Sequence, residues 1–243
     1  MKKGKKISVK AFLNKNYPWK TTKELPDGSS EEVNLYPVYM QITYNRKNTQ
    51  FKSSVNEHVS DLSEIIGESK IRLENELKFY AKIVEYETNK LGDNFQLKGI
   101  NDRFDKYVEP IISYLGETVN KDYYHILVKT RSEHALILAN VSGFNVTFNR
   151  LMNTTKVLIP NFDSYCDSSL IKEFISYGLY TEIFPKSELI SKNQNYPRVI
   201  DFLDGSFQNL FKQKLIAKKL YNESEINDFV STINSILETT IKV

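Results

Sequence analysis

The sequence predicts an α+β protein: an amino-terminal three-stranded antiparallel sheet with a long helix, followed by a mixed, helix-rich carboxy-terminal domain. Three observations lead there. Apolar residues alternate with period two within the first 55 residues, the period changes to three or four from Leu62 onward, and turn-forming residues cluster between the runs. With 40% of residues hydrophobic and 26% charged, the composition is that of a folded globular chain, neither disordered nor membrane-embedded.

The elements follow in order. Lys5–Leu13 alternates at Ile7, Val9 and Ala11, the period of a half-buried strand. Asn14–Asn34 holds Pro18, Pro26 and Asp27-Gly28-Ser29-Ser30, and this punctuation predicts a long loop. Tyr36–Asn45 places Val38, Met40, Ile42 and Tyr44 on one side and Tyr39, Gln41, Thr43 and Asn45 on the other. After a polar turn over Asn45–Asn48, Thr49–Val55 supplies a third strand in a tight hairpin. Leu62, Ile66, Leu73, Leu77, Tyr80, Val84 and Leu91 then predict a helix of nearly thirty residues ending at Gly92.

A second helix over Ile100–Tyr114 carries Pro110, which should bend or break it. Tyr123–Phe184 reads as mixed, because β-branched and aromatic runs (Tyr124–Lys129, Ala135–Val141, Asn145–Phe148, Lys156–Ile159) alternate with helical turns. Within it Asp167-Ser168-Ser169 caps a helix running through Tyr177 and stopping at Gly178. Two amphipathic helices close the chain. Gly205–Tyr221 presents Phe207, Leu210, Phe211 and Leu215 on one face, and Asn222-x-x-Glu225 forms a capping box before Ile226, Phe229, Val230, Ile233 and Leu237. The organisation expected is a sheet over residues 1–60, linker helices over 61–115 and a mixed domain over 116–243.

Charge is unevenly distributed. Met1–Lys52 has ten lysines and one arginine against four acids, a net of +7, so at a whole-chain charge of +3 the remainder stands at −4. A basic first fifth on an acidic body suits a polyanionic partner. Apolar runs such as Ala135–Ala139 and Val157–Pro160 are too short to cross a bilayer, and no apolar signal core follows the first residues, so no membrane and a cytoplasmic location are expected. The single Cys166 and the scattered His58, His125 and His134 offer no disulfide and no zinc spacing, and no metal or cofactor is expected. Neither a glycine-rich phosphate loop, Gly-x-Ser-x-Gly nor His-Glu-x-x-His is present. The acidic pairs Asp102/Asp105 and Asp201/Asp204 have carboxylates that could hold a metal in a nuclease, but their spacing is that of a solvated helix surface, which is the reading expected.

The alternation has a functional consequence. If Val38, Met40 and Ile42 face the helix, then Tyr39, Gln41, Thr43 and Asn45 face outward beside Arg46 and Lys47 of the turn. Lys6, Ser8 and Lys10 of the first strand share that side with Gln50, Lys52 and Ser54 of the third. Amides and hydroxyls that read base edges, with cations that hold phosphates, suit the DNA major groove, which admits a β-ribbon. On pattern alone the same face serves equally as the solvated side of an ordinary antiparallel sheet. Tyr17 and Trp19, beside Pro18 and Lys20, have the chemistry to stack on a base or lodge in a groove, and packing back on the sheet is the outcome expected of such loop aromatics.

The run Tyr36-Pro37-Val38-Tyr39-Met40-Gln41-Ile42-Thr43-Tyr44-Asn45, with Lys-Ile-Ser-Val-Lys-Ala-Phe-Leu before it and Thr-Gln-Phe-Lys-Ser-Ser-Val after it, resembles the amino-terminal arm-type DNA-binding domain of Bacteroidetes-type phage and transposon integrases. The polar helix Ile71–Leu91 resembles the linker helix of those proteins, so the similarity covers about residues 1–115. The resemblance implies a three-stranded sheet on a helix, duplex DNA as ligand, and Lys10, Gln41, Thr43, Asn45, Arg46, Lys47 and Lys52 as contacts. The outer-face pattern adds Lys6, Tyr39 and Gln50.

The catalytic signature of tyrosine recombinases, His-x-x-Arg and a late nucleophilic tyrosine, is not matched. Three residues after the histidines stand Asp61, Val128 and Ile137, and Tyr221 is one of 15 tyrosines. The expectation is a non-catalytic DNA-binding accessory or regulatory protein of a mobile element. A recombinase or another element-encoded protein, and self-association, are the further partners it implies. Two alternatives stay open: a protein- or RNA-binding component of a phage or defence assembly that reuses the sheet, and a degenerate recombinase or nuclease relative.

Overall fold

The architecture is α+β, and the computed structural model describes residues 7–24, 26–141, 147–184 and 197–241. The chain forms two compact units, Met1–Asp105 and Lys106–Val243.

In the first unit, β1 (Ile7–Leu13), β2 (Trp19–Glu24), β3 (Ser30–Tyr44), β4 (Lys47–Lys52) and the short β5 (His58–Val59) form one antiparallel sheet organised around β3. β1 and β4 pair with the second half of β3, from Ile7 opposite Tyr44 to Leu13 opposite Val38 and from Lys47 opposite Tyr44 to Lys52 opposite Tyr39. The first half of β3 pairs with β2, Trp19 standing opposite Leu35 and Glu24 opposite Ser30. The segment expected as a loop over Asn14–Asn34 is therefore largely a β-hairpin. Pro18 and Asp27-Gly28 lie outside its strands, with Gly28 at φ 81° in the connecting turn. The ribbon is exposed apart from the half-buried Thr21, Val33 and Leu35 on one side, so its apolar alternation is confined to Val33 and Leu35.

One face of the sheet is core. Val38, Met40 and Ile42 are fully buried and Tyr44 nearly so. α1 (Gly67–Leu91) lies on it with Leu73, Tyr80, Ile83 and Val84 buried. The helix starts five residues after the expected Leu62. Asp61 accepts from Ser63 N and Glu64 from Ser60 N, winding that segment into a separate short turn, and Ile66 is extended before Gly67 at φ 59°. Tyr80 anchors the layer, 4.7 Å from Phe51 and stacked 4.0 Å from Phe104, with its hydroxyl donating to Asn101 Oδ1 at 2.9 Å. Burial pushes that hydroxyl's pKa far above the usual tyrosine value.

Two carboxylates interrupt the apolar stripe of α1. Glu76, 5% exposed, accepts from Ser53 Oγ at 2.5 Å, Ser54 N at 3.1 Å and Ser54 Oγ at 3.2 Å, tying the end of β4 to the helix. Ser54 thus turns to the helix rather than standing on the outer face. Glu76→Ala strands three buried or part-buried donors, and each bond to a charged acceptor is worth about 1.5–3 kcal/mol. We expect a loss of about 3 kcal/mol in urea unfolding, with a smaller loss for Glu76→Gln, which keeps one acceptor oxygen.

Among the described residues the second unit is helical: α3 (Ile111–Thr130), α4 (Ala135–Val141), α5 (Phe148–Leu158), α6 (Ser168–Ile183), α7 (Val199–Leu203), α8 (Gln208–Lys218) and α9 (Glu223–Ile241), with α2 (Ile100–Val108) leading into it. The strand-like runs expected between Tyr123 and Phe184 form no strand among the described residues: Tyr124–Lys129 and Ala135–Val141 are helical, Phe148 and Lys156–Leu158 belong to α5 with Thr147 and Ile159 flanking it, and Asn145 and Val146 lie outside the described residues. Burial overrides β-propensity there: Leu115, Val119, Tyr123, Ile126 and Leu127 fall on one buried face of α3. Pro110 does break the predicted helix, and it pairs instead with Arg198 in an isolated bridge.

α6 packs against α3, α5, α8 and α9 and is buried continuously from Ser176 to Thr181. Asp167 caps it, accepting from Leu170 N at 2.8 Å, as the sequence predicts. It does not stop at Gly178. That glycine lies against Asn149 of α5, where a Cβ would come 1.9 Å from Oδ1, so it serves close helix packing rather than termination. The capping box of α9 forms as read, Asn222 N donating to Glu225 Oε2 at 2.8 Å and Glu225 N to Asn222 Oδ1 at 3.0 Å. Leu210 departs from the predicted apolar face and is exposed.

Candidate nucleic-acid interface

Strand pairing places the outward residues of β1, β3 and β4 in three cross-strand rows. Odd-numbered residues of β3 oppose the core side, so Phe12, Tyr39 and Lys52 form the first row. Lys10, Gln41 and Gln50 form the second, and Ser8, Thr43 and Asn48 the third. The sequence contains no acid from Met1 to Lys23 or from Val33 to Asn56, so no carboxylate stands in β1, in β4 or in the half of β3 that pairs with them; Glu31 and Glu32 lie in the other half, opposite β2. Lys10, Arg46 and Lys52 are exposed and form no ion pair among the described residues. Lys6 lies outside the described residues.

The polar groups of the middle row are ordered by one another. Gln50 Nε2 donates to Gln41 Oε1 at 2.9 Å, and Gln41 Nε2 donates to Thr43 Oγ1 at 3.3 Å. Gln50 keeps its own Oε1 and a second N–H for a ligand, the donor–acceptor pair that matches the major-groove edge of adenine. Lys52 Nζ donates to Asn56 Oδ1 at 2.7 Å, which holds its ammonium at the edge of the face without neutralising it.

Two residues stand elsewhere than the sequence suggested. The turn has two residues, not four, because Tyr44 pairs with Lys47. Lys47 therefore belongs to β4 with the parity of Tyr44, on the core side of the sheet. There it lines a groove of about 800 Å³ with Tyr44, Thr49 and the segment Gly92–Lys98. Tyr39 is on the outer face but half-covered: Tyr17 stacks on it at 6.4 Å with planes 9° apart, and Phe12 lies 6.0 Å away. Tyr17 packs back on the sheet as the sequence suggests, whereas Asn48 and Phe12 are further members of the face, and the alternation that selects Gln50 and Lys52 also selects Asn48.

The turn itself is strained at its second position. Asn45 and Arg46 both have positive φ, 48° and 65°. A two-residue hairpin turn of this kind favours Asn followed by Gly. A non-glycine residue in the left-handed region costs about 1–2 kcal/mol, so the turn gives up stability to carry a guanidinium at the tip of the hairpin. Arg46→Gly is expected to raise stability by about 1 kcal/mol in urea unfolding, and an unchanged or lowered stability would contradict strain at this position.

Other titratable candidates have structural surroundings. Asp201 accepts from Arg198 N at 2.9 Å in a helix cap, and Asp204 accepts from Ser206 N at 2.8 Å. Tyr221 lies edge-on to Phe229 at 5.3 Å, and burial raises its hydroxyl pKa, the direction opposite to nucleophile activation. Burial likewise raises the thiol of Cys166. Among the described residues no group of three or more His, Cys, Asp or Glu is arranged to hold a metal ion, and no helix is long and apolar enough to cross a membrane. No protein-family profile, curated protein or solved structure matches the chain.

Proposed function

We propose that this protein is a DNA-binding accessory or regulatory protein of a mobile element, that the outer face of β1, β3 and β4 binds duplex DNA, and that the carboxy-terminal unit engages a partner protein. The observation that carries the reading is the acid-free part of that face, where β1 and β4 flank the second half of β3. Its amide chain Gln50–Gln41–Thr43 is flanked by Lys10 and Lys52 and capped by Arg46 in a strained turn. A twisted antiparallel ribbon has the width to enter the major groove, where amides read base edges and cations reach the phosphates on either side. The resemblance of residues 36–45 to integrase arm domains supports the same ligand. Exposed apolar side chains on the carboxy-terminal unit, among them Val128, Leu136, Ile137 and Ile216, support the protein partner.

An electrophoretic shift on duplex DNA tests the face. Lys10→Ala/Arg46→Ala/Lys52→Ala is expected to weaken binding by at least tenfold at moderate salt, because phosphate contacts supply most of such affinity. Lys70→Ala/Arg72→Ala/Lys78→Ala, an equal charge change on exposed positions of α1, is expected to leave most of it. Equal losses from both triples would reduce the effect to net charge and remove the proposed face.

A further inference from the structure

The outer face continues beyond the amide rows into an aromatic ledge that the duplex reading does not use. Tyr17 stacks on Tyr39 yet is 63% exposed, so one ring face is held and the other is offered to solvent. Trp19 stands opposite Leu35, which has the outward parity of Tyr39, and leans on His58 at 5.4 Å while remaining 61% exposed. Two large rings held from one side and open on the other are costly surface for a solvated chain. Lys15 and Lys20 flank them in sequence and Lys52 shares the row of Tyr39; Lys20 is paired with Glu32 at 3.1 Å, whereas Lys15 and Lys52 form no ion pair among the described residues.

We propose that Tyr17 and Trp19 stack on unpaired nucleobases, so that the preferred ligand is duplex DNA adjoining a single-stranded stretch rather than continuous duplex. The inference rests on the duplex reading of the neighbouring rows. Inside a B-form duplex the base faces are covered by their neighbours, and an aromatic ring gains stacking energy only where a base is unstacked. Cations beside the rings favour a nucleic-acid strand over an apolar protein surface, since the backbone tracks positive charge while the bases occupy the rings.

Trp19 is the only tryptophan in the chain, so its emission reports on this ledge alone. The full-length protein is titrated with a labelled blunt duplex, with the same duplex carrying a short oligothymidine tail, and with the tail alone. Anisotropy of the DNA and Trp19 fluorescence are both followed. The tail is expected to tighten binding by roughly 5- to 150-fold per stacked base and to quench Trp19, whereas the blunt duplex leaves the emission nearly unchanged. Tyr17→Ala/Trp19→Ala is expected to erase the preference for the tail while keeping the affinity for blunt duplex, and Tyr17→Phe to preserve the preference. Equal affinity for tailed and blunt duplex with unaltered Trp19 emission overturns the inference and leaves the duplex reading standing. Binding to the tail alone as tight as to the tailed duplex supports stacking and overturns the duplex reading. Binding to none of the probes overturns both.

Discussion

Arg103→Ala is expected to destabilise the amino-terminal unit by about 3–5 kcal/mol, the cost of leaving a buried charge without its counterion. Glu87 of α1 is fully buried, and Arg103 of α2 reaches it with both arms of the guanidinium, Nε at 2.8 Å and Nη2 at 2.7 Å. Removing the arginine leaves a carboxylate that cannot be rehydrated without opening the layer between α1 and α2. Removing both charges is a different experiment. Glu87→Leu/Arg103→Met replaces the pair with apolar side chains of similar reach and is expected to recover most of the loss, giving a large coupling energy in a double-mutant cycle. Urea unfolding followed by circular dichroism measures all four proteins. A loss below about 1 kcal/mol for the single change would contradict the buried-pair account. Neither residue belongs to the outer face, so DNA binding by the folded fraction should be retained.

The pair is also a feature that no local sequence pattern announces. β1, the second half of β3 and β4 were legible because one side of each is core and the other is solvent, which writes a period of two into Ile7–Leu13 and Val38–Tyr44. β2 and the first half of β3 bury little beyond Thr21, Val33 and Leu35, too short an alternation to outweigh the turn residues around them, which point to a loop. Glu76 and Glu87 occupy core positions of α1, but their partners, Ser53 and Arg103, lie 23 and 16 residues away, and nothing local announces them. A four-residue turn over Asn45–Asn48 would put Lys47 beside the outer face. The two-residue turn puts it on the other side, because one position along a strand exchanges the faces. The helices between Tyr123 and Phe184 carry β-branched and aromatic residues because they pack around a central aromatic core of Tyr123, Phe148, Phe162 and Phe174, and such residues disguise helical spacing.

Gln50→Ala is expected to lower discrimination between DNA sequences by about 1–3 kcal/mol at one base position, with little change in binding to unrelated duplex. The expectation follows from the direction of the hydrogen bonds. Gln50 gives one N–H to Gln41 and retains an acceptor and a donor on the outward side, so it is the amide free to make a bidentate contact, while Gln41 and Thr43 fix its plane. Gln41→Ala should broaden the sequence preference less, by loosening Gln50 rather than by removing a base contact. Gln50→Glu replaces the donor with a second acceptor and should shift the preference from adenine toward cytosine. Selection from a randomised duplex library, repeated with each variant, measures all three. An unchanged consensus with Gln50→Ala would leave the amide row a structural feature of the sheet.

The measurement that bears most directly on the central claim is the salt dependence of duplex affinity in the wild type and in Lys10→Ala/Arg46→Ala/Lys52→Ala. Each phosphate neutralised by a protein cation contributes about 0.9 to the slope of log affinity against log salt concentration. If the three side chains lie along the DNA backbone, the variant's slope should be shallower by nearly three, with the affinity difference shrinking as salt is raised. Identical slopes for the two proteins would mean that these cations release no counterions on binding, and that the outer face of the sheet is not where the protein meets DNA.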